Sequence, residues 1–258
     1  MTAPTAVAYS GHPGAYAEQA AARFLPHQPT QAVAGFAAVV DAVRDGTAAW
    51  GVLPCENRYA GSVPDAIRAV LAGGLPIVAD LWLPVPHALL AQPGVGLASL
   101  TEATSHPQAL KQCDAFLARH QLTPIPALTT ATAARAVALA GPRHRAAIAP
   151  PAAAAHYGLD IVADHITTDP DNATRFWLVG RVGSAPWAGS PRTVTVAVHA
   201  DRFDARAAPP GRVLLEKGSG GLWVVDVPPD ARATLAALTQ QGRGPVHPLG
   251  CYPRLEYP

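Results

Sequence analysis

The alternation of short apolar segments with amphipathic segments constrains the fold of this chain more than any other feature. Thr5–Ser10 and Trp50–Pro54 are apolar and have the length of buried strands. Between them, Phe36, Val39 and Val43 occupy positions i, i+3 and i+7, a spacing that predicts an amphipathic helix. Strands that alternate with helices are typical of parallel β-sheets covered by helices. The sequence therefore predicts an α/β fold.

The same periodicities divide the rest of the chain into two parts. Helices are predicted at about 15–24, 61–71, 105–120 and 131–140, and strands at 75–83, 86–91, 124–128, 145–149 and 176–181. The segment 183–191, rich in Gly, Ser and Pro, has the composition of a linker. Beyond it, strands are predicted at 194–198, 213–216, 222–227 and 246–250, with a helix at about 230–240. A small α+β unit is therefore expected after the larger α/β region.

Charge and cysteine content exclude several classes of partner. The 19 Lys and Arg residues nearly balance 18 Asp and Glu residues, so neither a nucleic acid nor an anionic membrane is an expected partner. The most apolar stretch, 67–93, is interrupted by Asp80 and three prolines, and predicts no membrane helix. Cys55, Cys113 and Cys251 have no C-x-x-C spacing and cannot build a disulfide framework or a cysteine-rich zinc site. Without a signal-peptide pattern at the N-terminus, we expect a cytoplasmic protein, with Cys55 and Cys113 in the core.

Three loops share one design, in which a predicted strand enters a turn whose small polar residue precedes a helix. The loops begin at Ser10, Glu56 and Ser105, and Ser62 and Ser105 are the expected N-caps. Gln108 would complete a capping box with Ser105. Helix N-termini bind carboxylates and phosphates, so converging loops of this kind predict a small anionic ligand. The alternative is that each loop only caps its helix.

A fourth segment, D-N-A-T-R-F, ends in Thr174, Arg175 and Phe176 just before a predicted strand. Thr174 supplies a hydroxyl, and Arg175 supplies a permanent cation that pairs with carboxylates in a bidentate geometry. The alternative is a turn entering a strand, with Arg175 solvated.

Six segments together resemble the prephenate dehydratases and the related arogenate dehydratases. In chain order they are AYSGHPGAYAEQAA, GVLPCENRYAGSV, LPVPHALLAQPGV, SHPQALKQC, AAIAPPAAAAHYGL and DNATRFWLVGR. The resemblance covers Val7–Arg181. It implies two α/β lobes similar to type II periplasmic binding proteins, and a homodimer or homotetramer. It also implies a small dicarboxylate substrate, and a reaction without metal or organic cofactor: prephenate loses its ring carboxylate as CO2 and its hydroxyl as water, giving phenylpyruvate.

The resemblance also implies domain boundaries. A catalytic domain would span 1–183, with one lobe at about 5–83 and 175–183 and the other at about 84–174. A truncated domain similar to the regulatory ACT type would span 192–258.

Site residues follow from the resemblance position by position. Thr174 matches the family's catalytic threonine, a candidate donor to the departing oxygen. Arg175 would bind the substrate carboxylate, and His106 would act as a general acid or only form hydrogen bonds. The expected substrate-binding residues are Ser10, Asn57, Arg58, Ser62, Ser105, Gln108 and Phe176.

Two departures from the family pattern bear on function. Arg58 stands where Ser is usual, and it either anchors a second carboxylate or points to solvent. In the last unit, 200–211 contains two prolines and leaves no room for the usual first helix, and the effector motif has become Glu216-Lys217-Gly218-Ser219. We therefore expect that this unit does not bind phenylalanine and serves in packing or dimerisation.

Four functions remain compatible with the sequence. Prephenate dehydratase is favoured, and arogenate dehydratase is a close variant. A non-aromatising prephenate decarboxylase is disfavoured by the intact T-R-F string, which such relatives lack. A catalytically inactive small-molecule binder on the same fold is a fourth reading, which the intact Thr174 and Arg175 oppose.

Overall fold

In the computed structural model of the chain, residues 6–140, 142–181, 193–199, 212–216, 222–227 and 247–255 are described. The helices are α1 (Tyr16–Phe24), α2 (Gly35–Arg44), α3 (Pro64–Gly73), α4 (Pro107–Gln112), α5 (Asp114–Arg119), α6 (Thr130–Ala140) and α7 (Ala152–Tyr157). The strands up to the middle of the chain are β1 (Val7–Ser10), β2 (Thr30–Val33), β3 (Trp50–Asn57), β4 (Gly61–Ser62), β5 (Ile77–Pro84), β6 (Ala88–Ala91), β7 (Glu102–Ser105) and β8 (Thr123–Pro126). The remaining strands are β9 (Arg145–Ala149), β10 (Asp160–Ala163), β11 (Ala173–Gly180), β12 (Thr193–His199), β13 (Arg212–Glu216), β14 (Leu222–Val227), β15 (His247–Tyr252) and β16 (Arg254–Leu255).

The chain divides into two compact units, and the first contains residues 6–10, 20–83 and the described residues from 174 onwards. Its main sheet has the strand order β16-β5-β11-β3-β1-β2, with β4 paired to β3. Helix α2 buries Val39, Val40 and Val43 in the core of this unit. Helix α3 packs so closely on α2 that a Cβ on Gly73 would lie 2.0 Å from Val40 Cγ1. Glycine at position 73 is what allows the two helices to approach.

The first unit also contains a four-stranded antiparallel sheet, ordered β13-β14-β12-β15. Its last strand leads directly into β16, which pairs in parallel with β5. A Cβ on Gly250 would lie 2.2 Å from the carbonyl oxygen of Ile77, so the strand crosses the main sheet at close range. Val224 and Tyr252 are buried in the same core as Trp177 of β11. The C-terminal sheet is thus packed into the core that supports β11.

The second unit contains residues 11–19 and 84–173. Its sheet is ordered β10-β6-β9-β7-β8, with β7 parallel to both β8 and β9. Strand β6 runs antiparallel to β9 and β10. Leu89 and Ile148 are buried on one side of this sheet, and Leu90 with Val137 of α6 on the other.

The structure confirms the predicted α/β class and corrects parts of the topology. Both large sheets are mixed rather than parallel. In the first unit β11 runs antiparallel to β3, and in the second unit β6 runs antiparallel to β9 and β10. The predicted helix 105–120 is two short helices that meet at Cys113, whose backbone is not helical. Strands β2, β4, β7, β10 and β16 and helix α7 were not predicted. The predicted linker 183–191, the segment 200–211 and the helix at 230–240 lie outside the described residues.

Candidate functional site

A β-bulge lies where Thr174 and Asn57 face each other on β11 and β3. Thr174 pairs with Asn57 and Arg175 with Glu56, but Phe176 pairs with Pro54, so β3 carries one extra residue at Cys55. The Cys55 thiol donates to the Arg175 carbonyl oxygen at 3.5 Å. Bulges re-aim side chains and are common beside active sites. The bulge therefore brings together two of the residues expected from the sequence, although they lie 117 positions apart.

The hydrogen bonds of Asn57 fix the role of the Thr174 hydroxyl. Asn57 Oδ1 accepts from the backbone N–H groups of Tyr59 at 3.0 Å and Ala60 at 2.8 Å. This network orients the amide so that Nδ2 donates to Thr174 Oγ1 at 3.0 Å. Among the described residues, the Thr174 hydroxyl proton has no acceptor. A hydroxyl that accepts one hydrogen bond becomes a better donor of its own proton, so Thr174 presents a polarised O–H group.

Arg175 is placed differently from the exposed substrate anchor that the sequence suggested. Its side chain is 1% exposed, on the opposite face of β11 from the half-buried Thr174. Its Nε donates to Asp80 Oδ2 at 2.5 Å, Nη1 pairs with Asp226, and Nη2 contacts Tyr252 Oη at 3.4 Å. Burial lowers the pKa of Arg175, but the surrounding ionisable groups, including Asp226 and Asp80, raise it by more. The guanidinium is therefore a permanent cation held by two buried carboxylates.

In the segment after β3, Arg58 has one of its two expected positions, and Ser62 differs from its expected one. Arg58 is exposed, and its guanidinium carbon lies 5.3 Å from the ring centre of Trp82, a cation–π contact. Ser62 belongs to β4, opposite Glu56, so the prediction that it caps α3 is wrong. The residue at that N-cap is Val63, which makes no side-chain hydrogen bond there.

The S-H-P-Q segment of the second unit uses a different cap from the predicted one. His106 is the N-cap of α4, and its Nδ1 accepts from the backbone N–H of Gln108 at 3.2 Å. Ser105 is fully buried and donates to the Ile148 carbonyl oxygen at 2.6 Å, so the predicted capping box is wrong. Because Nδ1 of His106 is an acceptor, the neutral ring carries its proton on Nε2. The exposed imidazole is thus prepared to donate one hydrogen bond.

The remaining expected site residues lie on β1, β11 and α4. Ser10 is the last residue of β1 and is half-buried. Phe176 is 2% exposed, and it lies two positions after Thr174, on the same face of β11. Gln108 is partly exposed in the first turn of α4.

The loop after Ser10 is held by a glycine that no other residue could replace without strain. Gly14 has φ of +84°, and a Cβ on it would lie 3.1 Å from the Ala153 Cα. Its N–H donates to Oε2 of Glu18, in the first turn of α1, at 2.6 Å. The Tyr157 hydroxyl donates to the Pro13 carbonyl oxygen at 2.8 Å. These contacts hold the H-P-G turn against α1 and α7.

A buried histidine network in the second unit was missed by sequence reasoning. The Tyr16 hydroxyl donates to the Pro86 carbonyl oxygen and lies 3.1 Å from His87 Nδ1. His87 Nε2 is 2.8 Å from Gln112 Oε1, at the end of α4. Burial lowers the pKa of His87, although the hydrogen bond to Gln112 opposes this shift. The neutral His87 thus ties the helix that carries His106 to β6 and α1.

Comparison of the sequence with models of known families identifies the family of this chain. The sequence profile of the family described as prephenate dehydratase matches residues 7–184, more than half of the chain. The chain belongs to the prephenate dehydratase family. The T-R-F and E-N strings that meet at the bulge both lie inside the matched region.

Curated relatives support the same family. The Arabidopsis thaliana protein named arogenate dehydratase/prephenate dehydratase 1, chloroplastic, is 38% identical over 190 residues, which are 74% of this chain and 48% of the relative. The chain thus spans about half the length of the plant relatives it matches. A Komagataeibacter europaeus protein named bifunctional N-acyl-homoserine lactone acylase/prephenate dehydratase is 34% identical over 70% of this chain and 64% of its own length.

Solved structures extend the similarity to the full chain. GqqA, described as a novel type of quorum-quenching acylase, superposes with a TM-score of 0.82 and 28% identity, over 97% of this chain and 98% of its own. Prephenate dehydratase from Arthrobacter aurescens in complex with L-Phe shares the fold, with a TM-score of 0.80, 24% identity and coverage of 96% and 90%.

Three further observations concern membranes, metals and thiols. No helix within the described ranges is long and apolar enough to cross a membrane. The described residues also contain no group of three or more His, Cys, Asp or Glu side chains placed to hold a metal ion.

Cys55 and Cys113 are free thiols with 0% exposure, as predicted, and burial raises the pKa of Cys113 to about 12.

Proposed function

We propose that the protein is a prephenate dehydratase that converts prephenate to phenylpyruvate, CO2 and water without a metal or organic cofactor. The observation that carries the proposal is the Thr174 hydroxyl, which accepts from Asn57 and keeps its own proton available. The dehydration step needs a donor at this point because hydroxide is a poor leaving group. Membership of the family supplies the reaction class.

The proposed reaction breaks two bonds of the substrate ring. The C–C bond to the ring carboxylate breaks, CO2 leaves, and its electron pair enters the ring. The C4–O bond breaks with its own pair as the ring becomes aromatic. Thr174 donates a hydrogen bond to the departing oxygen, and one proton from solvent, passed through the Thr174 hydroxyl, converts that oxygen to water and leaves the threonine unchanged. A free threonine hydroxyl is a weak acid, so relay by a polarised O–H is the role its chemistry allows.

The substrate proposed is prephenate rather than arogenate, and Arg58 supports this choice. Arg58 follows Asn57 directly in the chain, and its exposed guanidinium lies 5.3 Å from the ring centre of Trp82. Arogenate carries an ammonium group where prephenate has a ketone, and like charges repel. Arg58 thus favours the keto acid, and Arg58→Ser is expected to raise the relative activity on arogenate.

Arg175 enters the proposal as a residue that positions Thr174. Its side chain is buried with two carboxylates on the other face of β11, so the substrate carboxylate is assigned to Arg58 and to the backbone N–H groups of the site loops. His106 is assigned a hydrogen bond to substrate through Nε2, which fits its role as a neutral cap of α4.

Domain boundaries, assembly and location also remain proposals. We propose a catalytic region at 1–183 and an ACT-like region at 192–258 that packs rather than binds phenylalanine. We also propose a cytoplasmic homodimer or homotetramer, which light scattering of the purified protein would measure. Titration calorimetry that detects micromolar phenylalanine binding would contradict the proposed loss of feedback.

N-acyl-homoserine lactone hydrolysis is a second candidate function. It is favoured by the similarity to the Komagataeibacter europaeus protein named for this activity and to the quorum-quenching acylase GqqA, which covers nearly the whole chain. Amide hydrolysis requires a nucleophile whose proton passes to a base. The Thr174 hydroxyl instead accepts from an amide N–H, a geometry that suits proton donation. The dehydratase is therefore the first candidate.

One experiment separates these functions. The purified protein is incubated with prephenate, arogenate or an N-acyl-homoserine lactone, and every product is identified by mass spectrometry. Phenylpyruvate from prephenate supports the proposal, and phenylalanine from arogenate supports the variant. Prephenate loss without phenylpyruvate indicates the decarboxylase, a free fatty acid indicates the acylase, and no turnover indicates a binder. Thr168→Ala, an exposed threonine of the second unit, serves as the control for Thr174→Ala.

A further inference from the structure

A closed ring of buried hydrogen bonds joins Arg175 to the C-terminal sheet. Arg175 Nη1 pairs with Asp226 of β14, and Nη2 donates to the Tyr252 hydroxyl of β15 at 3.4 Å. Thr195 of β12 donates to Asp226 Oδ1 at 2.5 Å. Its Oγ1 lies 2.5 Å from the Tyr252 oxygen, which completes the ring as the donor to Thr195. Two strands of the C-terminal sheet therefore contact the guanidinium directly, through Asp226 and Tyr252, and a third strand joins these two side chains through Thr195.

The side chains of the ring are buried, and each one depends on the others for its hydrogen bonds. Arg175 is 1% exposed, and Thr195 and Tyr252 are 0% exposed. Asp226 is 7% exposed, with one carboxylate oxygen on Arg175 and the other on Thr195. A buried charge whose partner is removed destabilises its surroundings strongly, because the low dielectric gives it no other compensation. Removing the charge of Asp226 is therefore expected to disturb the position of Arg175.

Arg175 transmits that constraint to Thr174 through the backbone. The two residues are adjacent at the bulge, and they point to opposite faces of β11. The Arg175 side chain is clamped by Asp80 and Asp226, and its carbonyl oxygen accepts from the Cys55 thiol. The Arg175 contacts thus hold the backbone next to Thr174 from the opposite face of β11. Asn57 holds the Thr174 hydroxyl itself through its hydrogen bond.

A buried ion-pair network is a poor device for stability alone, since well-packed apolar residues of similar volume often stabilise equally well. It is a good device for fixing one geometry, because every bond in it is directional. This network sits directly behind the one hydroxyl whose direction the proposed reaction depends on. A displacement of about 1 Å at a reacting group can cost about 100-fold in rate.

We propose that Asp226, Thr195 and Tyr252 are positioning residues for Thr174, so that the C-terminal sheet is part of the catalytic apparatus rather than a removable regulatory domain. The inference rests on the proposed function, in which the Thr174 hydroxyl faces the departing oxygen. The C-terminal sheet is expected not to bind phenylalanine. The inference gives this sheet a different role, the positioning of Thr174.

The test uses point variants in the full chain. Asp226→Asn removes the charge and is expected to lower kcat for prephenate about 100-fold, with KM within about threefold. Thr195→Val and Tyr252→Phe each remove a single hydroxyl and are expected to lower kcat about 3- to 10-fold, by about 0.7–1.4 kcal/mol. These two milder variants keep the inference testable where Asp226→Asn fails to fold.

Two controls separate positioning from general destabilisation. Thr193→Val removes a buried hydroxyl from the same strand as Thr195, and Glu102→Gln breaks an ion pair with Arg145 in the second unit. Both are expected to keep the wild-type kcat. In a Thr174→Ala background, Thr195→Val is expected to cause no further loss of kcat, because the group that it positions is gone.

Each outcome decides for or against the inference. Wild-type kcat in folded Asp226→Asn and Thr195→Val proteins would overturn it, as would additive losses in the Thr174→Ala background. Equal losses in Thr193→Val would also overturn it. A wild-type protein without prephenate turnover refutes the proposed function, whereas normal wild-type turnover with unaffected variants refutes only the positioning role.

Discussion

Asn57→Asp is the substitution that examines the Thr174 hydroxyl most selectively. In the wild type, Asn57 Nδ2 donates to Thr174 Oγ1 at 3.0 Å, which leaves the threonine proton for the substrate. A carboxylate at this position still accepts from the N–H groups of Tyr59 and Ala60, so the loop keeps its anchor. Its other oxygen can only accept, however, and it captures the Thr174 proton. The hydrogen bond is thereby reversed with almost no change in shape.

The expected loss follows from the one donor that is withdrawn. Removing a single preorganised donor from a developing negative charge costs about 2.7–4 kcal/mol, or about 10²- to 10³-fold in kcat. Asn57→Asp is therefore expected to lower kcat by this factor, with little change in KM. Because a protonated carboxyl can donate again, the variant should recover part of its activity relative to wild type as the pH falls.

Initial rates of phenylpyruvate formation from prephenate, measured from acid to neutral pH, test this expectation. Thermal melting of the variant shows whether the fold is kept. Asn172→Asp makes the same chemical change at another buried asparagine, in the second unit, and serves as the matched control. A folded Asn57→Asp enzyme with wild-type kcat at neutral pH would refute the assigned direction of the Thr174 hydrogen bond.

Three further predictions concern stability. Arg175→Met leaves two buried carboxylates without their cation, so it should lower the free energy of unfolding by about 3–5 kcal/mol at neutral pH. The loss should be smaller in acid, where the carboxylates are protonated. An unchanged denaturant midpoint at neutral pH would show that the network is solvated. Since the pKa of His87 is lowered in the folded state, its contribution to stability is present above the unfolded value near 6.5 and is lost progressively as the pH falls from there through the lower folded pKa. His87→Gln should flatten this acid-side slope, and an identical pH profile would contradict the buried neutral ring. Gly73→Ala should lower the free energy of unfolding by about 1–3 kcal/mol, measured in thermal or chemical melts, because the new Cβ would overlap Val40. Adding Val40→Ala should recover part of that loss. A double variant without any recovery would contradict the packing explanation.

Local periodicity predicted the elements of this fold better than their pairing. The helical spacing of Val39 and Val43 corresponds to buried positions in α2, as expected. Strand β2 was missed because its sequence, T-Q-A-V, lies at the edge of the sheet and is only partly buried. The mixed sheets could not be read from βα alternation, since the direction of β11 depends on where the chain re-enters the first unit.

The candidate site was predictable in its residues and not in its contacts. Thr174 and Asn57 were both singled out, but only the register of β11 on β3 shows that they share a hydrogen bond. Arg175 carries the same local signal as a solvated arginine, because its partners Asp80 and Asp226 lie 95 and 51 positions away. Ser105 fits a capping box by sequence, yet β7 extends through it, and the strand geometry turns its hydroxyl to Ile148.

In the proposed reaction the Thr174 hydroxyl donates to the departing oxygen of prephenate, and a kinetic comparison of three enzymes examines this step. Turnover of prephenate to phenylpyruvate is measured for the wild type, Thr174→Ser and Thr174→Val. The serine variant keeps a hydroxyl and should stay within about 10-fold of the wild-type kcat, whereas the valine variant, equal in shape, should lose about 10²- to 10³-fold. A folded Thr174→Val enzyme that makes phenylpyruvate at the wild-type rate would contradict the account.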